Sequence, residues 1–184
     1  MRRRIALIPQ RRPIFLGCEG QSEEGYGALL GRLARELDNV HIHLHAEVLQ
    51  PGAGDPEALV VRAVQRIDHI QRRRAPFAVK AVMLDRGTAQ KNAAAEALAR
   101  ANGIDYLIWQ NPDFEAVLLR HLPGCQALRP PAGRSMQELQ RRWPGYQKGT
   151  PALQLARQIT LAEVRLAATV EPDLSSFLQS IGLL

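Results

Sequence analysis

Two stretches of the chain, Pro13-Ile-Phe-Leu-Gly-Cys-Glu19 and Phe77-Ala-Val-Lys-Ala-Val-Met-Leu-Asp85, share one pattern: a short apolar run that stops at a carboxylate, with glycine close behind. Such runs predict buried strands ending in turns. Val40 to Val48 alternates Val40, Ile42 and Leu44 with His41, His43 and His45, the period of a strand with one buried face. Ile104 to Trp109, β-branched and aromatic, predicts a fourth strand. Between these runs the apolar spacing changes to three and four. Tyr26, Leu29, Leu30, Leu33, Ala34 and Leu37 mark a helix over 23–37. Leu59, Val60, Ala63, Val64, Ile67 and Ile70 mark a second, opened by Asp55 and Pro56 and running to Arg72–Arg74. Alanine-rich Lys91 to Asn102, closed by Gly103, and Pro112 to Leu122 complete four strand-helix units.

The expected fold class is therefore α/β, a four-stranded mainly parallel sheet with helices on both faces. The expected organisation is a basic segment over 1–12, an α/β core over 13–124 and a helical extension over 125–184 packed on that core. In the extension, Pro130-Pro-Ala-Gly-Arg134 reads as a loop, Ser135-x-x-Glu138 as a capping box, and Thr150-Pro151 as the start of a last long helix. No internal repeat is visible.

Composition narrows the setting. A chain of 184 residues, 46% of them hydrophobic, is about the size of one ordinary domain. Its longest apolar runs, such as Ala78 to Leu84, fall far short of the roughly 20 residues a membrane-spanning helix needs. Ile5 to Ile8 is too short for the apolar region of a signal peptide, and two cysteines, Cys18 and Cys125, build neither a disulfide framework nor a zinc site. A cytoplasmic protein without a membrane partner is the expectation. A net charge of +6 and a pI near 10.0 favour an acidic partner such as nucleic acid. The skew towards arginine can equally arise from the base composition of the gene.

In open parallel sheets, ligands collect beyond the carboxyl ends of the strands, which is where Glu19 and Asp85 lie. Glu23 follows Glu19 by four residues, in the first turn of the next helix, so both carboxylates can converge on one point. Hard oxygen donors of this kind suit Mg²⁺. Glu23 can also simply complement the helix dipole. A buried strand-end carboxylate such as Glu19 requires compensation for its lost hydration, and a cation provides it.

Four segments in order resemble the TOPRIM-like proteins of the RloB and OLD-nuclease type, and the resemblance covers most of the chain. Phe15-Leu-Gly-Cys-Glu-Gly-Gln-Ser-Glu23 with Tyr26 matches a hydrophobic strand followed by C-E-G-x-[ST]-E and an aromatic. Met83-Leu-Asp85-Arg86-Gly87 retains the first aspartate of the family's D-x-D and has glycine at the second. Asn111-Pro-Asp-Phe-Glu-Ala-Val-Leu-Leu-Arg-His121 is similar to N-P-x-F-E-x-W-x-L-L-H, and Tyr146-Gln-Lys148 to a late Y-x-K. The resemblance implies a TOPRIM-like fold and a metal-dependent nuclease. Glu19, Glu23, Asp85 and Glu115 would hold Mg²⁺, with Mn²⁺ as a substitute, and Lys148 would steady the phosphate. Glu19, Asp85 and Lys148 would be the catalytic residues. It also implies phage defence beside an ATPase partner protein. Gly87 leaves three outcomes open: one metal, recruitment of Asp113 or Glu115, or a regulatory subunit that binds without cleaving. The substrate can be DNA or RNA.

Other features have plainer readings. Asn111-Pro112 reads as a helix cap with a first-turn proline, and Arg120 and His121 as cations closing a helix. The three histidines over 41–45 lie too far apart along one strand to share an ion and read as a solvated face. Arg2 to Arg4, Arg11-Arg12, Arg72 to Arg74 and Arg141-Arg142 are candidate phosphate contacts, or solvated ends and tails. Trp109 and Trp143 read as packing residues. Leu84-Asp85-Arg86-Gly87-Thr88 faintly resembles the D-x-D-x-T loop of haloacid-dehalogenase-like phosphatases. That family places its nucleophile on the first strand, and this aspartate closes the third.

Overall fold

A computed structural model describes residues 10–50 and 55–184. Arg2 to Arg4 and residues 51–54 lie outside the described residues. Four strands, β1 (Arg12–Cys18), β2 (Ile42–Val48), β3 (Val79–Asp85) and β4 (Tyr106–Gln110), form one sheet in the order β2-β1-β3-β4. All three pairings are parallel. Helices α1 (Gln21–Arg35), α2 (Pro56–Gln71), α3 (Ala89–Ala101) and α4 (Phe114–His121) alternate with the strands. The α/β class expected from periodicity is the observed one.

Strand alternation builds two cores. Ile14, Leu16 and Cys18 of β1 pack with Tyr26, Leu29, Leu30 and Leu33 of α1 on one face of the sheet. Phe15 packs with Leu59, Val60 and Ala63 of α2 and Ala95 and Ala99 of α3 on the other. Close approach of α1 to β2 depends on a helical glycine, Gly27, where a methyl would meet Ala46 Cβ at 2.7 Å. On β2, His45 and Glu47 alternate with Ala46, and Glu47 is paired with Arg66 of α2. His41 precedes that strand and is exposed.

Local signals hold at some caps and shift at others. Asp55 caps α2 by accepting from Glu57 N–H at 3.1 Å, with Pro56 at the first position as expected. Asn111-Pro112 is not a cap; the cap of α4 is Asp113, which accepts from Ala116 N–H at 3.0 Å. Ser135 and Glu138 form no capping box. There Arg134 is the N-cap of α5 (Ser135–Arg142) and Ser135 is itself helical. A capping box does form further on, between Thr160 and Glu163.

No single long helix follows Thr150-Pro151. The segment divides into α6 (Ala152–Leu155), α7 (Leu161–Ala168) and α8 (Pro172–Ile181), because the Thr160 box and Pro172 each start a new helix. This tail joins the first core through Leu155, Ile159, Val164, Phe177 and Leu178, and α8 covers β4, where Phe177 meets Tyr106 edge-on with ring centroids 6.1 Å apart.

Arg120 and His121 close α4 as expected, and both are buried. Arg120 is 1% exposed, is paired with buried Glu171, and donates to Asn111 O at 2.9 Å. Burial lowers the Arg120 pKa and raises that of Glu171, so desolvation works against both charges. His121 is buried against Tyr26 Oη at 2.8 Å, and burial lowers its pKa to about 4, which keeps the ring neutral. Glu171→Ala strands the Arg120 charge and is expected to cost about 3 kcal/mol by denaturant unfolding. The double variant Arg120→Met/Glu171→Leu is expected to recover at least half of that loss, because it removes both buried charges.

Candidate functional site

Chain direction across this sheet reverses between β1 and β3, since the chain passes from β1 out to β2 and then crosses to the other side. The crevice of a parallel sheet lies at that reversal, beyond the carboxyl ends of the two strands. The register pairs Cys18 with Met83, so Glu19 and Asp85 emerge there side by side. Glu19 Oε2 accepts the Asp85 backbone N–H at 3.0 Å. Two acidic residues separated by 66 positions are thereby joined at one sheet edge.

Three more carboxylates surround this pair. A cavity of about 540 Å³ is lined by Glu19, Glu23, Asp85, Asp113 and Glu115, with Lys148 at its margin. Glu23 comes from the first turn of α1, and Asp113 and Glu115 come from the cap and first turn of α4. Each helix N-terminus favours negative charge, which helps explain how acids are tolerated there. Glu23 and Glu115 are both buried. Asp113 is engaged as a cap, so its role is first structural.

The electrostatics show strain between these groups. Burial, followed by the charges of Glu19 and Glu115, pushes the Glu23 carboxyl up to about 7. Burial, followed by repulsion from Glu19, Glu23, Asp113 and Glu115, pushes Asp85 up to about 7 as well. Burial raises Glu115 too, and Lys148 opposes that rise from 3.8 Å. Asp85 Oδ1 is buried without a hydrogen-bond partner among the described residues. This is a donor set that a hard cation would relieve. Among the described residues no three Asp, Glu, His or Cys side chains stand placed to hold one ion together. Mg²⁺ commonly takes one or two carboxylates and completes its shell with water, which this arrangement can provide.

The second half of the site comes from the tail. Tyr146 is buried against Trp143, with ring centroids 5.4 Å apart, and its hydroxyl donates to Ser22 Oγ at 3.4 Å. Gly149 N–H donates to the same Ser22 oxygen at 3.0 Å. Lys148 lies between these two anchors and is mostly exposed, so its backbone is fixed while its ammonium reaches the cavity. Two neighbours escaped the reading of the sequence. Ser22 is the latch just described. Gln110, the last residue of β4, is buried with neither amide atom partnered among the described residues. Its amide lies close enough to Glu23 to temper that group's rise, though short of hydrogen-bond geometry. Its signal was the one that marked Glu19 and Asp85, a polar residue closing a buried strand.

Other nominated residues lie elsewhere. Gly87 offers no ligand, and its N–H is held by Asn92 Oδ1 at 2.9 Å. Thr88 serves as the N-cap of α3. Arg86 lies over the Trp109 ring, 5.4 Å from its centroid, and Trp109 is buried in the second core. Burial raises the Cys18 thiol well above its ordinary value, which makes it an inert packing group. No helix among the described residues is long and apolar enough to cross a membrane. No protein-family model, curated protein or solved structure matches this chain.

A carboxyl whose pKa is raised in the folded state stabilises the fold below its unfolded value, and that contribution is lost as pH rises through the folded value. Glu23, raised from 4.5 to about 7, should therefore weaken the metal-free protein as pH climbs across that window. Glu23→Gln removes the charge. In a chelator, thermal melts should show it stabilised at about pH 8 by on the order of 2 kcal/mol, with little difference near pH 4.5. Equal stability of both proteins at both pH values would refute the repulsion described here.

Proposed function

We propose that this protein is a Mg²⁺-dependent, TOPRIM-like nuclease of the RloB and OLD type, which cleaves phosphodiester bonds of nucleic acid. The observation that carries this reading is the meeting of Glu19 and Asp85 at the sheet's switch point, with further carboxylates around them and one cation opposite. Glu19 and Asp85 would hold Mg²⁺ or Mn²⁺, with Glu23 and Glu115 adding negative charge around it. Mg²⁺ bound there supplies neutralisation of the charge that develops on the attacking and leaving oxygens of a phosphodiester.

The chain's own residues have separable tasks. Glu19 is held by the Asp85 N–H and lines the cavity. Lys148 is the one lysine lining that cavity and is suited to a phosphate oxygen, because the ammonium is a compact charge on a flexible stem. Ser22 and Tyr146 hold the segment that carries it. The resemblance in the four motifs supports the same assignment and, with it, a place in phage defence alongside an ATPase partner.

Gly87 favours a second reading, a nucleic-acid-binding or regulatory subunit that has lost cleavage. Asn92 closes the Gly87 loop, and a methyl at Gly87 would already meet Pro56 Cγ at 3.1 Å, so a second aspartate has no room there without a shift. One experiment separates the two. Incubation with single-stranded and duplex DNA and RNA should give cleavage that requires Mg²⁺ or Mn²⁺, is abolished in Glu19→Gln, and falls about 100-fold in Lys148→Met. Binding without product, indifferent to metal and to Glu19→Gln, would establish the subunit instead.

Metal binding has a readout that needs no substrate. Mg²⁺ or Mn²⁺ at about a hundred times its Kd should stabilise the protein by about 2.7 kcal/mol, seen as a rise in Tm. Asp85→Asn should abolish that rise. Because the ligands must be deprotonated, the rise should also shrink as pH falls below about 7. A Tm unaffected by either ion in the unaltered protein would overturn the metal assignment.

A further inference from the structure

A second charged feature lies on the other face of the sheet. Glu47 and Gln50, at and beyond the end of β2, form a groove with Arg62, Arg66 and His69 of α2, enclosing about 400 Å³. It continues past Arg66 and His69 into a smaller hollow of about 180 Å³ that adds His45, Arg73 and Arg74. At 100° per residue, positions 62, 66 and 69 fall within about 60° of one another on α2, while Asp68 and Glu57 fall outside that sector. Four arginines thus line a groove whose lining includes one carboxylate, and that one, Glu47, is already paired with Arg66.

Two further observations give the groove a direction and a ligand. Val48 pairs with Cys18, and Leu49 N–H donates to Cys18 O at 2.8 Å, so Gln50 leaves the sheet at the same edge as Glu19. The groove therefore opens beside the carboxylate cavity and runs away from it along α2. Arg62 Nη1 is buried with no hydrogen-bond partner among the described residues. A buried guanidinium donor of this kind is satisfied by a phosphate oxygen, which accepts from arginine in a charge-assisted bond. The helical stretch from Arg62 to Gln71 covers about 14 Å at 1.5 Å per residue, the rise of about four nucleotides of one strand at 3.4 Å each, and Arg73 and Arg74 extend the groove beyond it.

We propose that this groove is the track of a nucleic-acid backbone, carrying a strand along α2 towards the carboxylate cluster. Arg62 and Arg66 stand one helical turn apart, about 5–6 Å, so each can meet a different phosphate of one strand. The destination of the strand rests on the phosphodiester reading of the site, whereas binding in the groove is measurable without cleavage.

The test is fluorescence anisotropy in a chelator, with short single-stranded oligonucleotides of one sequence made as DNA and as RNA. Arg62→Gln/Arg66→Gln/Arg73→Gln is expected to weaken binding of whichever form binds by at least about tenfold, and to lower the salt-dependence slope by about two to three. Arg73→Gln/Arg74→Gln alters only exposed residues beyond the last turn of α2, and is expected to weaken binding at least about threefold even if the triple variant misfolds. Arg134→Gln/Arg157→Gln/Arg165→Gln removes equal charge from exposed residues of the tail and should stay within about twofold of the unaltered protein. The proposal is overturned if the groove variants bind normally, if the tail control loses as much, or if polyglutamate displaces the oligonucleotide at equal charge. A Mg²⁺-induced rise in Tm that persists in the groove variants separates the two claims: its absence from the unaltered protein would refute the metal site and leave the groove standing.

Discussion

The arrangement depends on the parallel register between β1 and β3. That pairing sets Cys18 opposite Met83 and so delivers Glu19 onto the backbone N–H of Asp85. A slip of one residue would turn every β1 side chain to the opposite face, breaking both cores and parting the carboxylates together. Site and core are therefore specified by the same hydrogen-bond ladder. The alternation of Ile14, Leu16 and Cys18 with Phe15 holds that ladder in place from both sides.

From that register follows an electrostatic conflict. Five carboxylates line one cavity while its nearest cation stands at the margin, and burial leaves little water to screen them. Two of them, Glu23 and Asp85, hold protons up to about neutral pH as a result. Such concentration of like charge is costly to a fold and is found where function requires it. The two helix N-termini reduce the cost, as does the Asp85 N–H, and a divalent cation would remove most of the remainder.

The tail is an integral part of this site. Its helices complete the first core, and the Tyr146–Ser22 and Gly149–Ser22 contacts, which span 124 and 127 residues, bring Lys148 to the carboxylates. On the other face, α2 contributes to the second core through Leu59, Val60 and Ala63 and turns its arginines outward over β2. The sheet thus separates an acidic cavity and a basic groove that share one edge.

Hydrophobic periodicity was enough to read the four strands, the helices between them and the acidic strand ends at Glu19 and Asp85, because alternation and helical spacing are local consequences of burial. Cap chemistry was legible where side chain and backbone sit next to each other, as at Asp55 and Pro56. It misled at Ser135, Asn111 and Thr150, where neighbouring elements decide which residue starts a helix. Only the tertiary structure decided that Arg120 and His121 are buried, that Ser22 latches the tail to the site, and that Arg62 and Arg66 of α2 line a groove with the end of β2. Those facts depend on packing between segments distant in sequence, which no local pattern encodes.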